Sequence, residues 1–386
     1  MKVLHVIPGL SHRYGGPAAA IRAMSESLTA AGLDLELAST TADGPGYELT
    51  DEKQAAVGRE FSHPIHLFPR NWSEQWKYAP QLRAWLYRNV KKFDLVHIHA
   101  LWSYSSLVAA RAARRENVPY IVRPAGMLSD YTFRNGFWKK QIYWNLLERR
   151  TVLSAAVIHA TSREEKADVL KRSSTARVHV IPNGVNKDAW TVPHRDRQHS
   201  GVPHVLLLSR LHPVKGIIDY LIPAFEKMSV QATLQIAGGA DPHMPQYADA
   251  VRQRVQSSPR SGDIELPGEI SADDRWRLFD EADLFVLPSH SENFGIVVAE
   301  AFSRQCAVVV SDRVQSCEHV VAAKGGAVVP LDVDKLAGTM DDLLRDRTAL
   351  AAQGLRGQQY AKANLSWTGI TEQIINMYDG CIRSSV

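Results

Sequence analysis

Several features are scarce in this 386-residue sequence, and each scarcity excludes a class of protein. Its 3 cysteines, Cys306, Cys317 and Cys381, are scattered late in the chain and predict neither a disulfide framework nor a metal site, so we expect a reducing, cytoplasmic compartment. No apolar run approaches the ~18 residues of a membrane span, and the opening MKVLHVIPGL is too short and interrupted for a secretory signal. Low-complexity tracts and long charge blocks are also missing, which excludes a disordered chain.

Charge of one sign is scarce as well. The formal net charge of +4 is too small to predict nucleic-acid binding by itself. The charge is uneven, because residues 134–187 contain many more lysines and arginines than aspartates and glutamates. Two interpretations of this segment stay open: an anionic group lies near it, or it is an ordinary solvated basic face.

Short apolar runs alternate with helical patterns along the whole chain, which predicts an α/β fold of parallel sheets covered by helices. One hydrophobic core rarely serves more than ~250–300 residues, so we expect two domains, both Rossmann-like. The predicted strands are KVLHVI, LDLELAS, DLVHIHA, VPYIV and AAVIHA in the first half, then HVLLLS, ATLQIAG, DIELPG, DLFVLPS, AVVVSD and GAVVPL. In SADDRWRLFDEA, Ser271 is the expected helix cap, and Asp273 and Asp274 favour the first turn.

We interpret residues 181–204 as a linker, because periodicity is lost there while proline, glycine, asparagine and histidine accumulate. The expected domains are therefore 1–190 and 200–365. Residues 366–386 are expected to form a C-terminal amphipathic helix. Its apolar face needs a partner surface, and the positions on that face are Trp367, Ile370, Ile374, Ile375 and Tyr378.

Two glycines and two cations follow predicted strands, where ligands bind in open α/β sheets. Gly15 and Gly16 would let a phosphate approach the backbone and the N-terminus of the next helix, although a simple tight turn is the alternative. Arg210 and Lys215, in RLHPVKG, suit a diphosphate, since arginine grips two oxygens and lysine acts as a mobile point charge. The alternative for these two is a pair of solvated surface cations.

The stretch SHSENFGIVVAEAF carries two carboxylates, Glu292 and Glu300, separated by seven residues at a strand-to-helix junction. If a helix begins near Gly295, the two side chains do not meet, so they are not the close carboxylate pair of a retaining glycosidase. They could hold separate hydroxyl-bearing parts of one extended ligand, while the amides around Phe294, Gly295 and Ile296 face its phosphates. Ordinary helix-terminal and surface charges are the alternatives.

These motifs, taken in order, resemble the retaining family-four glycosyltransferases of the GT-B fold. The resemblance spans the chain through GGP, HIHALWSY, IPNGV, SRLHPVKG, AGG at 237–239, PGEI, SENFGIVVAE and GGAVVP. It implies an α/β fold of two Rossmann-like domains facing each other across a cleft. It also implies that the acceptor binds mainly to the first domain, that the donor binds mainly to the second, and that the C-terminal helix crosses back to the first.

The resemblance also implies a role for individual residues. Glu292 corresponds to the glutamate that binds the donor sugar, and Glu300 to the one that binds the nucleotide ribose. Arg210 and Lys215 correspond to the pair that neutralises the diphosphate leaving group, with Gly16 approaching it. The implied donor-binding residues are Gly15, Gly16, Arg210, Lys215, Gly238, Glu292, Asn293, Phe294, Gly295, Ile296 and Glu300.

His99 of HIHALWSY corresponds to the residue that lies against the transferred sugar, so the implied catalytic residues are His99, Arg210, Lys215 and Glu292. His97 is expected to be structural, and a packed or capping role is the alternative for His99 as well. In RPAGMLSD this chain has Ala125 where relatives often have a histidine, which leaves Arg123 and Gly126 on the acceptor side. Gln305 and Ala307 stand where many relatives have glycine and proline.

The expected function is retaining transfer of a sugar from a nucleotide-diphosphate-sugar to a saccharide or lipid-linked acceptor, in bacterial surface polysaccharide synthesis. We expect no metal and no cofactor, because the nucleotide-sugar is a substrate and the two cations neutralise the leaving group. The alternatives are a nucleotide-sugar 2-epimerase and a non-catalytic sugar-nucleotide-binding protein. Nucleic acid is not an expected partner.

A peripheral contact with the inner face of an anionic membrane is a further hypothesis. It rests on a predicted amphipathic helix from Arg134 to Arg150, with Trp138, Ile142 and Leu146 on one face. The cations assigned to the lipid are Lys139, Lys140, Arg149 and Arg150. Ordinary packing of this helix on the first domain is the alternative.

Overall fold

A computed structural model describes residues 1–134, 136–193, 201–271 and 274–384. The chain divides into two compact units, and the first consists of Met1–Asn183 together with Trp367–Val386. The second unit is Gly184–Ser366. Parts of four sequence predictions lie outside the described residues: the linker at 194–200 with the boundary at residue 200, residue 135 of the predicted amphipathic helix, residue 272 and Asp273, and the last two residues.

The first unit contains a seven-stranded parallel sheet in the order β3-β2-β1-β4-β5-β6-β7. Its strands are β1 Lys2–Val6, β2 Asp34–Thr40, β3 Ile65–Phe68, β4 Leu95–His99, β5 Tyr120–Arg123, β6 Val157–Ala160 and β7 Val178–Val180. The prediction of β1, β2, β4, β5 and β6 is confirmed. The outermost strands β3 and β7 were missed because they are short and only partly buried, so neither forms an apolar run.

Helices cover this sheet, and three of them, α2, α4 and α8, begin with a side-chain cap. Ser103 and Ser162 accept hydrogen bonds from amides in the first turns of α4 and α8. The helices are α1 Gly16–Ala30, α2 Asp51–Arg59, α3 Pro80–Asn89, α4 Tyr104–Arg115, α5 Asp130–Arg134, α6 Phe137–Tyr143, α7 Arg149–Leu153 and α8 Arg163–Arg172.

The second unit contains a six-stranded parallel sheet in the order β10-β9-β8-β11-β12-β13. The sequence predicted all six strands, because β8, β11 and β12 are almost completely buried and therefore read as continuous apolar runs. They are β8 His204–Leu208, β9 Thr233–Ala237, β10 Ile264–Gly268, β11 Leu284–Leu287, β12 Ala307–Ser311 and β13 Gly326–Val329. Two parallel sheets covered by helices confirm the predicted α/β fold class.

The helices of the second unit begin at the linker and end beside the C-terminal segment. They are α9 Asp188–Thr191, α10 Ile222–Lys227, α11 Gln246–Gln256, α12 Asp274–Glu281, α13 Ile296–Ser303, α14 Cys317–Ala323, α15 Val333–Arg345 and α16 Arg347–Asn364. The predicted cap of α12 is confirmed, since the Ser271 hydroxyl accepts a hydrogen bond from the Asp274 amide at 3.0 Å.

The C-terminal helix α17, Trp367–Arg383, belongs to the first unit, as the resemblance implied. Ile370, Ile374 and Tyr378 are fully buried in a core that includes residues of β1, β4, β5, β6 and α1. The hydroxyls of Ser27 in α1 and Thr371 in α17 are 2.6 Å apart. α17 therefore supplies one side of this core instead of lying loosely on its surface.

The predicted amphipathic helix begins at Phe137 instead of Arg134, because Gly136 has a left-handed φ of 77° and Arg134 ends α5. It is a nearly continuous helical segment, formed by α6, a π-helical turn at Trp144–Glu148, and α7. Trp138, Ile142 and Leu146 are 77%, 59% and 74% exposed, whereas Trp144 and Val152 are buried. The face with Trp144 and Val152 packs on the first unit, so the apolar stripe itself is exposed. Among the described residues, no helix is both long and apolar enough to cross a membrane.

Candidate functional site

The loops that follow β8, β9 and β11 bring the predicted donor-binding residues of the second unit to one edge of its sheet. Arg210 follows β8, Gly238 follows β9 and Glu292 follows β11. From β8 the sheet is built outwards through β9 and β10 on one side, and then through β11, β12 and β13 on the other. The strand order therefore reverses between β8 and β11, which makes this position a topological switch point. Such a switch point forms a crevice at the carboxyl ends of the strands.

Lys215 and Glu292 form an ion pair in this crevice, between Nζ and Oε2. The Lys215 side chain is 14% exposed and the Glu292 side chain 23%, so each largely desolvated charge finds its counterion in the other. Backbone hydrogen bonds fix the two loops, including one from the His290 amide to the Val214 carbonyl at 2.8 Å. The sequence had assigned these two side chains to different parts of one ligand and had not anticipated their contact.

Arg210 extends its guanidinium to Asp241, with Nη1 2.6 Å from Oδ2. Asp241 is buried, whereas the Arg210 side chain is 43% exposed. The guanidinium therefore keeps donors available for a second acidic group, because only one of its nitrogens bonds the carboxylate. Asp241 was missed by the sequence analysis, since an aspartate in a loop with two prolines carries no distinguishing signal.

Glu300 is buried on α13 and pairs with Arg275 of α12, with Oε2 2.5 Å from Nη2. Gly295 precedes α13 with φ 60°, a left-handed conformation that favours glycine, and Ile296 is the first residue of the helix. Burial raises the pKa of Glu300, and the Arg275 guanidinium opposes that rise. The sequence indicated that a carboxylate inside an apolar run needs a partner, but it did not identify Arg275.

Gly238 lies beside a cavity of about 320 Å³ whose lining includes Leu211, Ile236, Gly239 and Glu269. The cavity adjoins the loop that carries Arg210. Asn293 and Phe294 complete the set of residues before α13, and Phe294 is buried. The resemblance implied that Gly238 binds the donor, but the cavity depends on how β9, β10 and α11 pack together and could not be predicted.

The predicted residues of the first unit lie at the ends of strands or in the loops that follow them. Gly15, with φ 64°, immediately precedes α1, and the N-terminus of this helix has no side-chain cap. An added Cβ at Gly16 would meet no described atom within 4 Å, so the backbone is open there. The amide of Gly126, after β5, donates to Glu165 Oε1 at 2.6 Å, while the buried Arg123 bonds Asn183.

His99 ends β4 and is buried beneath α17 among other imidazoles. Its Nε2 lies 3.2 Å from Nδ1 of His5. Burial, and then the neighbouring His5 and Arg123, hold the pKa of His99 well below its ordinary value. The ring is therefore neutral at physiological pH, which suits hydrogen bonding to a ligand and excludes charge stabilisation by an imidazolium.

One group of side chains could hold a metal ion among the described residues. His5, His97 and His99 each offer a nitrogen within 4.8 Å of the others. These nitrogens already face partners in the protein: both nitrogens of His5, both of His97, and Nε2 of His99. The geometry is that of a hydrogen-bonded cluster.

Comparisons with known proteins agree with this architecture. One family model, described as a glycosyl transferase 4-like domain, matches residues 15–184, and a second, glycosyl transferases group 1, matches residues 193–360. The alpha-maltose-1-phosphate synthase of Mycobacterium tuberculosis (strain CDC 1551 / Oshkosh) is 28% identical over 313 residues, which cover 74% of this chain and 78% of that protein.

Two solved structures show the fold. The crystal structure of Anabaena Alr3699/HepE in complex with UDP and glucose has a TM-score of 0.78 at 19% identity, covering 98% of this chain and 100% of that one. Sucrose-phosphate synthase from Thermosynechococcus elongatus has a TM-score of 0.77 at 20% identity, covering 100% of each chain. With both family models matched in succession, the chain belongs to the family-four glycosyltransferases of the GT-B fold.

Proposed function

We propose that this glycosyltransferase moves a sugar from a nucleotide-diphosphate-sugar to a saccharide or lipid-linked acceptor with retention of anomeric configuration. The observation that carries the proposal is the Lys215–Glu292 ion pair at the switch point of the second sheet. It places a cation suited to a phosphate beside a carboxylate suited to sugar hydroxyls. Arg210 adds a second cation that is free to bond an acidic ligand on its exposed side.

Charge accumulates on the diphosphate as the bond between the anomeric carbon and the phosphate oxygen breaks. Lys215 and Arg210 stabilise this charge, and the N-terminus of α13 adds its helix dipole. The acceptor hydroxyl forms the new bond to the anomeric carbon on the same face, and its proton passes to the departing phosphate oxygen. With these groups neutralising the leaving group, the proposed reaction needs no metal ion.

Glu300 and Glu292 bind different parts of the donor. Glu300 is a buried carboxylate held by Arg275, and it accepts hydrogen bonds from the ribose hydroxyls of the nucleotide. Glu292 exchanges part of its contact with Lys215 for the hydroxyls of the transferred sugar. The crystal structures of Anabaena Alr3699/HepE with UDP and UDP-glucose motivate a uridine nucleotide as the first donor to test.

Five single variants test these roles: Lys215→Ala, Arg210→Ala, Glu292→Ala, Glu300→Ala and His99→Ala. Loss of either cation is expected to lower turnover by roughly 10² or more, while nucleoside diphosphate affinity changes less. Glu300→Ala weakens the nucleoside diphosphate itself, whereas Glu292→Ala and His99→Ala lower transfer with that affinity preserved. Lys227→Ala removes an exposed lysine from a surface ion pair and is the matched control for Lys215→Ala.

Transfer rates and nucleoside diphosphate affinities are measured for each variant, with and without chelator and with and without acceptor. Equal profiles for Glu292→Ala and Glu300→Ala, or near-normal transfer by all five variants, would contradict the assignment. Sugar conversion without acceptor would indicate a nucleotide-sugar epimerase. Donor binding without any turnover would indicate a binding protein.

We propose further that α6, the π-helical turn and α7 contact an anionic membrane, where a lipid-linked saccharide of surface polysaccharide synthesis is presented. Phe137, at 44% exposed, extends the exposed stripe of Trp138, Ile142 and Leu146. Arg149 and Arg150 are exposed at the other end of the segment. Lys140 is removed from the predicted set of lipid-facing cations, because it is partly buried and donates to the Thr132 carbonyl.

Flotation with anionic vesicles tests the membrane contact. The wild-type protein is expected to float at low ionic strength, and Trp138→Ala with Leu146→Ala should reduce the bound fraction several-fold. Trp72→Ala is the matched control, because Trp72 is 66% exposed in the same unit and lies outside the stripe. Equal flotation of the stripe variant and the control, or no flotation of the wild type, would overturn the proposal.

A further inference from the structure

Four buried histidines and one tyrosine form a continuous polar row beneath α17. Tyr378 reaches between two strands, with its hydroxyl 3.0 Å from Nε2 of His5 and 2.7 Å from Nδ1 of His97. His97 Nε2 lies 3.4 Å from Nδ1 of His159, and His99 Nε2 lies 3.2 Å from Nδ1 of His5. The row therefore runs from β6 across β4 and β1 and returns to the end of β4.

At His159, the far end of the row, the direction of hydrogen bonding is fixed; we call the direction of donation along the row its polarity. Nε2 of His159 lies 2.9 Å from the carbonyl oxygen of Ile181, which can only accept a hydrogen bond. Nε2 of His159 must therefore carry a proton. Burial lowers the pKa of His159 to about 3, so the ring is neutral and its Nδ1 is an acceptor.

This polarity passes along the row one bond at a time. His97 donates from Nε2 to His159 and must then accept at Nδ1, where the Tyr378 hydroxyl donates. The hydroxyl oxygen accepts from Nε2 of His5, and Nδ1 of His5 accepts from Nε2 of His99. His99 is left with a lone pair on Nδ1, and this buried atom has no hydrogen-bond partner among the described residues.

The opposite polarity would turn Nδ1 of His99 into a donor, but it is disfavoured at one contact. The lone pair on Nε2 of His97 would then face the lone pair on Nδ1 of His159, since the Ile181 carbonyl fixes the proton of His159 on its other nitrogen. Two lone pairs in a buried position repel and leave both acceptors unsatisfied.

We propose that Tyr378, His5, His97 and His159 act as positioning residues that hold His99 as the Nε2–H tautomer, so that its Nδ1 accepts a hydrogen bond from a hydroxyl group of the bound sugar. This proposal rests on the proposed function for the identity of the ligand, whereas the tautomer is a property of the protein alone. The row explains why a helix far along the chain carries a buried tyrosine opposite the central strands. The row also gives hydrogen-bond partners to five nitrogens of His5, His97 and His99, and a metal ion would have to displace those partners to bind there.

The tautomer is measured by nitrogen NMR on the full-length protein labelled with ¹⁵N-histidine, without substrate, with His99 assigned from a His99→Gln spectrum. Wild-type His99 is expected to be protonated at Nε2 and unprotonated at Nδ1 at neutral pH. His159→Asn keeps an acceptor oxygen near the Nδ1 position, so this tautomer should persist. His159→Phe removes the acceptor, and Tyr378→Phe removes the central hydroxyl, so both should populate the Nδ1–H form of His99.

Transfer kinetics give a second readout. Tyr378→Phe is expected to lower transfer roughly five- to tenfold, the effect of one lost hydrogen bond, with nucleoside diphosphate affinity unchanged. Tyr120→Phe is the matched control, because its buried hydroxyl donates to the Thr151 carbonyl outside the row. If Tyr378→Phe does not fold, the His159→Asn and His159→Phe pair decides the question.

An unchanged His99 tautomer in both His159→Phe and Tyr378→Phe would overturn the proposal, as would an Nδ1–H or doubly protonated His99 in the wild type. Stoichiometric zinc that co-purifies and is lost in His5→Gln would replace the row with a metal site. Absence of any transferase activity would refute the proposed function while the NMR result still stands.

Discussion

Gly238 is the residue where backbone geometry constrains the donor site most tightly. Its φ is +141°, and an added Cβ would lie 1.8 Å from the carbonyl oxygen of Ser209, next to Arg210. Gly238→Ala is therefore expected to destabilise the second unit by about 2 kcal/mol or more and to weaken nucleoside diphosphate binding. Gly239→Ala is the control, because its Cβ would lie 3.4 Å from the nearest described atom. Denaturant unfolding of the two variants compares them, and similar stabilities would refute the steric argument.

Glu148 is the residue whose titration should affect stability most clearly. Burial raises its pKa from 4.5 to about 7, although the Trp102 amide and the Tyr143 hydroxyl offset part of this. Because the folded state binds the proton more tightly, stability from this group is complete below pH 4.5 and is lost as the pH rises through about 7. Glu148→Gln should therefore stabilise the protein by up to about 3 kcal/mol at pH 8. Unfolding free energies at pH 5 and pH 8 test this, and a pH-independent difference would contradict it.

At the scale of elements, α17 determines whether the first unit has a complete core. Truncation after Ser366 removes this helix and exposes apolar residues of β1, β4 and α1. Loss of only one such buried residue costs about 2–5 kcal/mol, so the truncated first unit should be largely unfolded and inactive. The second unit keeps the bridge between Val185 and Ser366 and should stay folded. Hydrogen exchange can follow both units in one sample, and full protection of the first unit would show that α17 is dispensable.

At the scale of the whole molecule, the two units have separate hydrophobic cores and should respond differently to a nucleotide. A nucleoside diphosphate at ~100 times its dissociation constant should add ~2.7 kcal/mol to the unit that binds it. We expect this stabilisation in the second unit, where Arg210, Lys215, Glu292 and Glu300 lie. Thermal unfolding followed by limited proteolysis measures it, with Glu300→Ala as the control. Stabilisation confined to the first unit would place the nucleotide elsewhere.

Most of the fold could be predicted from the sequence, because its signals are local. Continuous apolar runs identified β8, β11 and β12, and the alternation of short apolar runs with helical patterns identified the parallel architecture. The strands β3 and β7 escaped prediction because short, half-buried strands form no such run. Gln305 is a smaller case: it has φ 56°, a left-handed conformation that favours glycine, the residue that the resemblance implies at this position.

The sequence by itself determined the types of residue available for chemistry and their order along the chain, because strand ends and glycine loops can be recognised from neighbouring residues alone. Only the tertiary structure decided their partners. Lys215 pairs with Glu292, Glu300 with Arg275, and His99 with His5, and each pair joins residues far apart in sequence. A buried charge or ring nitrogen needs a partner, and the partner is whichever group the fold brings within hydrogen-bonding distance. No local sequence pattern specifies which group that is.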